Sequence, residues 1–230
     1  MKKAVFNWSG GKDSALALQK VLEEKEFEVI ALLTNMREET SKSSMHSIPL
    51  TILERQAESI GISLHPVVSS TALKNYEETM SEAVHHFKEL GVKHFIFGDI
   101  FLSDVKAYRE SKLHPLGIEV VETLWEKTSQ EVINDFLASG IRSKIIVTQA
   151  DLLDETFIGK DLDPDLINSF PKNIDVCGEK GEYHTLSYAG GLFNKKVEFT
   201  ISEIVKTSFD FTLDTGETKT FEYWQAELTV

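Results

Sequence analysis

This chain is short of cysteine, of basic runs and of long apolar stretches, and each shortage removes a class of protein. Its 230 residues include one cysteine, Cys177. No disulfide can form within the chain, which fits a reducing compartment, and a tetrathiolate zinc site is excluded. No apolar stretch reaches the ~20 residues that a helix needs to cross a bilayer. The start, Met1-Lys2-Lys3-Ala4, is basic, yet the apolar run behind it is too short for a secretory signal. A cytoplasmic location is therefore expected. Lysine and arginine number 24 against 37 acids, a net charge of −13, with no basic cluster. Such a surface repels nucleic acid and anionic membrane in bulk. Internal repeats and low-complexity segments are missing too.

What is present suits a globular chain with a sizeable core, at 41% hydrophobic and 27% charged residues. Ala4–Phe6 and Val29–Leu33 are continuous apolar runs, as expected of strands buried on both faces. Helical stripes follow at Ala15, Leu18, Val21 and Leu22, and at Leu50, Leu53, Ala57 and Ile60, the second stopped by Gly61. A third runs from Tyr76 through Met80, Ala83, Val84 and Phe87 to Leu90, closed by Gly91. His94–Phe97 reads as a strand ending at Gly98-Asp99, residues 103–113 as a helix and Glu119–Val121 as a strand. Repeated β-α units imply a doubly wound parallel sheet. Past residue 122 the pattern changes. A helix over Val132–Leu137, a strand at Lys144–Val147 and a short helix after Pro164 are expected. Residues 151–185 read mainly as loop, and the tail alternates as antiparallel strands around a turn at Asp214-Thr215-Gly216, with Leu213 on one strand. The division predicted is 1–122 for the first domain and 123–230 for a smaller α+β domain.

Two strings carry chemistry. Ser9-Gly10-Gly11-Lys12-Asp13-Ser14 lies between the first strand and the first helix. Unpaired N–H groups and the helix dipole favour an anion there. Gly10 and Gly11 would let the main chain approach it without a Cβ, Lys12 adds charge, and Ser9 and Ser14 add hydroxyls. The ordinary P-loop does not fit, because Phe6 stands where its first glycine belongs and Asp13 follows the lysine. Asp13 reads equally as a metal ligand or as a first-turn acid favoured by the dipole. The second string is Cys177-Gly178-Glu179-Lys180-Gly181-Glu182-Tyr183-His184-Thr185. Its glycines allow a tight loop, and paired carboxylates can hold a cation or move a proton.

SGGKDS resembles the loop of the N-type ATP pyrophosphatases, and CGEKGEYHT resembles the CGE-x-GE-[FY] loop of the diphthine–ammonia ligase family. Matches to that family also occur at Met45–Pro49, at Gly98-Asp99-Ile100 with Tyr108-Arg109-Glu110, and at Leu153–Gly159. GDIFLSDVKAYRE looks like the bacterial branch, for which the acceptor is left open. The resemblance implies an adenine-nucleotide α-hydrolase (HUP) fold and a two-step ligation. A carboxylate attacks the α-phosphate of ATP and releases pyrophosphate. Ammonia, from ammonium, then displaces AMP and leaves an amide. The implied acceptor is diphthine on elongation factor 2 where the source makes diphthamide. ATP would lie on Ser9 to Ser14, with Leu33 and Thr34 near the adenine and His46 and Gly98 beside the nucleotide. Magnesium would sit at Asp13. Lys12, Asp13 and Glu182 are the implied catalytic residues. Arg109, Cys177, Gly178, Glu179, Gly181, Glu182, Tyr183 and Thr185 are implied for the acceptor, with Tyr183 able to face a quaternary ammonium. Homo-oligomer formation is left open. Two rival readings remain, a sulfur-inserting tRNA enzyme and a non-catalytic ATP sensor.

Overall fold

A computed structural model describes residues 1–44, 46–70, 73–212 and 218–230. Met45, Leu213 and the Asp214-Thr215-Gly216 turn lie outside the described residues. The first part of the chain runs β1 (Lys2–Asn7), α1 (Lys12–Glu24), β2 (Phe27–Arg37), β3 (Lys42–Ser43), α2 (Leu50–Ile60), β4 (Leu64–Ser69), α3 (Leu73–Glu89), β5 (His94–Phe97), α4 (Ser103–Leu113) and β6 (Glu119–Glu122). It continues through α5 (Ser129–Ala138), β7 (Arg142–Gln149), α6 (Pro164–Asn168), β8 (Tyr183–Ala189), β9 (Thr200–Thr212) and β10 (Thr218–Thr229).

The first sheet is mostly parallel. β1 pairs with β2 and β5, β5 with β6, and β2 with β4, all in parallel, while the short β3 pairs antiparallel to β2. Chain order therefore reverses at β1, which opens a crevice between the carboxyl ends of β1 and β5. Alternation along β1 explains the two layers. Ala4 and Phe6 enter the core that holds α1, α2 and α5, whereas Val5 enters the core under α3. The second sheet, in the order β8-β7-β10-β9, is antiparallel, and its apolar face continues the first of those cores. The expected α/β class with an added antiparallel sheet is what the chain adopts.

Two strands depart from expectation. β4 contains Pro66, which cannot donate to a ladder, and β4 tolerates it because it pairs on one side with β2. β8 begins inside the segment read as loop. Its hydroxyls hid it: Thr185 and Ser187 are buried, and Ser187 Oγ bonds Ser143 Oγ of β7 at 2.7 Å. No helix among the described residues is long and apolar enough to cross a membrane.

Candidate active site

The bend after β1 is tied to β2 before it reaches the helix. Trp8 N donates to Leu33 O at 2.7 Å, and Thr34 Oγ1 donates to Trp8 O at 2.6 Å. Leu33 and Thr34, expected beside an adenine, are buried and hold the bend. Inside the bend Ser9 N donates to Ser14 Oγ at 3.2 Å and Gly11 N to Ser9 Oγ at 3.3 Å. Gly10 has φ +82, and a Cβ there would meet Ile48 Cδ1 at 2.8 Å and Gln56 Oε1 at 2.9 Å. At Gly11 it would meet His46 Cε1 at 2.5 Å. The space left by their missing side chains is filled by Ile48, α2 and His46.

The bend also docks on β8. Lys12 N donates to Thr185 Oγ1 at 2.9 Å, so Thr185, expected at the acceptor, caps α1 from the other sheet. Ser187 N donates to Gly10 O at 2.9 Å. Gln56 closes the junction. Its Nε2 donates to Gly10 O at 3.0 Å and Ser187 O at 2.6 Å, and its Oε1 accepts from Trp8 Nε1 at 2.9 Å. The Lys12 side chain is 3% exposed. Its Nζ donates to Asp13 Oδ2 at 2.6 Å and to Cys177 O at 2.5 Å, and lies 5.5 Å from the centre of the Tyr183 ring. Burial works against the ammonium, but Asp13 and the other acids around it outweigh burial and hold its pKa above the ordinary lysine range. Asp13 Oδ1 is buried with no hydrogen-bond partner. A bare carboxylate oxygen suits a cation. No cluster of three or more His, Cys, Asp or Glu suited to a metal occurs among the described residues.

The second string folds onto this lysine. Glu182 is 2% exposed, and its two oxygens accept from Asp175 N at 3.0 Å and Lys180 N at 2.9 Å. Its carboxylate pins the loop, since both oxygens already take backbone donors. Tyr183 donates its hydroxyl to Val176 O at 2.6 Å and turns its ring to Lys12, so that face is already taken by a cation. Gly178 (φ +71) and Gly181 (φ +86) make the turns, and a Cβ on Gly178 would meet Tyr183 O at 2.8 Å. Glu179 stays half-buried near Asp13 and Lys12. Burial and then the charge of Asp13 raise it to about 7, against the pull of Lys12. Cys177 is 2% exposed, and its thiol donates to Ser129 O at 3.1 Å. Burial pushes it up to about 12. Iodoacetamide at pH 8 is therefore expected to spare Cys177 in the folded protein and to label it after unfolding in urea. Rapid labelling without denaturant would show the thiol to be accessible.

His46 and His184 lie against each other over the bend, with ring centroids 4.7 Å apart and planes tilted by 33°. His46 Nδ1 donates to Thr185 O at 3.1 Å, which leaves Nε2 as an acceptor. Burial, then His46, pushes His184 down to about 3, and burial lowers His46. The unfolded chain takes up these protons near 6.5, so between about 3 and 6.5 it binds more protons than the folded chain. Stability then rises with pH across that window and is lost as the pH falls through it. The urea midpoint is expected to drop between pH 7 and pH 5, with a smaller drop in His184→Gln. Equal drops in the two proteins would remove the pair as the cause.

Gly98 lets the end of β5 meet α1, since a Cβ there would lie 3.2 Å from Asp13 O. Beyond it, Arg109 is bound by Asp99, and its Nη1 also reaches Glu122 Oε1 at 3.3 Å. Its guanidinium lies 4.0 Å from the centre of the Phe97 ring. Arg109, expected as a fork for substrate, is thus neutralised by its own chain. Gln56 and Glu122 were not singled out from the sequence, and Asp99 and His184 stood there only as members of matched strings, with no role given. Gln56 left a signal, a polar residue on the buried stripe between Leu53 and Ile60. Two open surface clefts lie elsewhere, around Gly61 and Pro66 and along α3 near His85.

Comparison with known proteins matches two family models. The diphthamide synthase N-terminal domain matches residues 1–120, and the diphthamide synthase C-terminal domain matches residues 126–220. Diphthine–ammonia ligase of Homo sapiens is 35% identical over 115 residues, covering 47% of this chain and 43% of that one. The Bos taurus enzyme of that name is 34% identical over 115 residues, with the same coverage of 47% and 43%. The Schizosaccharomyces pombe protein is 33% identical over 97 residues, covering 40% of this chain and 16% of its own. The chain spans less than half the length of these curated relatives.

Proposed function

The chain belongs to the diphthamide synthase family, and from that premise we propose that it is an ATP-dependent ligase forming an amide from a carboxylate and ammonia. One observation carries the reading. Lys12, at the start of α1, is held against the Cys177–Tyr183 loop, so a phosphate-binding helix start and an acid-bearing loop share one site. The positive end of α1 and Lys12 would take the triphosphate, and phosphate would compete with Asp13 Oδ2 for Lys12 Nζ. Asp13 is the residue that would hold magnesium, which when bound neutralises phosphate charge. The substrate carboxylate attacks the α-phosphorus, the bond to the bridging oxygen breaks, and pyrophosphate leaves. Ammonia then adds to the acyl carbon, and AMP leaves with the electron pair. Glu179, raised to about 7 by burial and subject to the charge of Lys12, would accept the proton that the new amide sheds. Glu182 and Tyr183 keep that loop in shape.

Sulfur insertion is disfavoured, because such chemistry needs an accessible thiolate and Cys177 is buried with its pKa raised. The test is incubation with ATP, magnesium, ammonium and carboxylates, including diphthine-bearing elongation factor. AMP and pyrophosphate are expected. ADP would defeat the reading, and tight ATP binding without AMP for any acceptor would favour a sensor.

A further inference from the structure

The second sheet is closed at one end and open at the other. At β8 the edge is sealed by the Ser9–Ser14 bend, since Ser187 N donates to Gly10 O at 2.9 Å. At the far end β9 runs for 13 residues, and among the described residues its only strand partner is β10. The edges of the first sheet are poorer templates. β4 is interrupted by Pro66, and β6 has four residues. A long edge with unmet N–H and C=O groups pairs readily with another chain. β9 also shows apolar side chains to solvent, with Ile204 38% exposed and Phe209 39%.

Symmetry and charge select the partner. In an antiparallel pair, directly opposite residues point to the same face of the sheet. Two copies of one strand, related by a two-fold axis normal to the sheet, must then centre their pairing on a residue and not between two. From Glu203 to Asp210, β9 pairs with β10 without a break in register. Centring on Glu203, Lys206 or Asp210 sets like charges against each other. Centring on Ile204, Val205, Thr207 or Phe209 leaves each of these charges without an opposite one. Ser208 as the centre places Lys206 of each copy opposite Asp210 of the other. Within its own hairpin Lys206 Nζ donates to Glu222 Oε2 at 2.8 Å, and Asp210 Oδ1 accepts from Thr220 Oγ1 at 2.7 Å. An ammonium has three donors and a carboxylate several acceptor positions, so both keep capacity for a second contact. The same register sets Thr207 opposite Phe209 and brings the two Phe209 rings within diagonal reach. Each of those rings already lies 5.9 Å from Tyr223 of its own hairpin. A chain of net charge −13 repels its copies in bulk, so a balanced contact is what lets two of them meet. We propose that β9 is a dimer interface, two copies pairing antiparallel about Ser208 to join their second sheets into one. An edge pairing is smaller than a standard interface, so the dimer is concentration-dependent and not obligate.

The test is sedimentation velocity of the whole chain from micromolar to millimolar concentration, with the fold of each variant checked by circular dichroism. A monomer–dimer equilibrium is expected for the wild type. Lys206→Glu or Asp210→Lys alone should raise the dimer Kd about tenfold, because two like-charge pairs replace two of opposite charge. The two substitutions together exchange the signs and should bring Kd back to within about threefold of the wild type. Ser208→Lys sets two lysines on the axis, while inside its own hairpin the new side chain faces Glu222. It should dissociate the dimer and leave the monomer folded. A monomer throughout the concentration range overturns the interface, as does a dimer that survives Ser208→Lys. A dimer that Ser208→Lys breaks but the double exchange does not rescue refutes the register. Nucleotide takes no part in this pairing, so the ligase reading stands or falls on its own assay for AMP.

Discussion

Lys12→Ala is expected to lower AMP formation by roughly a hundredfold to a thousandfold, the usual cost of one preorganised charge-stabilising donor. The cause is specific. Lys12 is the cation at the N-terminus of α1, it is 3% exposed, and it points at both the Asp13 carboxylate and the Cys177–Tyr183 loop. In so dry a setting its charge is worth far more than on the surface. Lys12→Arg is not expected to restore activity, because a planar fork cannot replace a compact ammonium between Asp13 Oδ2 and Cys177 O. Circular dichroism separates lost chemistry from lost fold, since Lys12→Ala also leaves Cys177 O without its donor. A folded Lys12→Ala protein that makes AMP at the wild-type rate would remove the lysine from the mechanism.

Gln56→Leu is expected to have the largest effect on stability, a loss on the order of 3 kcal/mol. Gln56 is 0% exposed and serves three partners. Leucine would fill most of the volume but strand Trp8 Nε1–H and Ser187 O in the core, each costing about 1–3 kcal/mol. Gly10 O would keep Ser187 N as its donor. Gln130, exposed on α5 and bonded within one turn to Asn134, serves as the control, with little change expected for Gln130→Leu. Urea unfolding reads the difference as a lower midpoint. A changed slope would signal that the two sheets had begun to unfold separately, since Gln56 links the Ser9–Ser14 bend to β8. An unchanged midpoint would refute the linking role.

Local order was legible where one residue type dictates one conformation. Gly61 and Gly91, read as helix stops, have φ of +86 and +84, a region other residues seldom enter. The apolar runs of β1 and β5 became the buried centre of the parallel sheet for the same local reason. The crevice followed from chain order, because βαβ crossovers permit few arrangements. β8 escaped notice because its buried positions carry hydroxyls, which alternation in hydropathy does not register.

The amino-acid order was sufficient for the layered architecture, the position of the Ser9–Ser14 bend and the chemical types gathered near it. It was not sufficient for their occupations. Arg109, Glu182, Tyr183 and Thr185 carry the side chains expected of a binding site. Each is engaged by a group of its own chain, while Asp13 Oδ1, Asn35 Oδ1 and Glu122 Oε2 are among the buried acceptors left bare. Hydrogen bonds and charges are satisfied by whatever comes within a few ångströms. For Lys12 and Thr185 that neighbour is 173 residues away along the chain, a distance that periodicity cannot cross and packing closes.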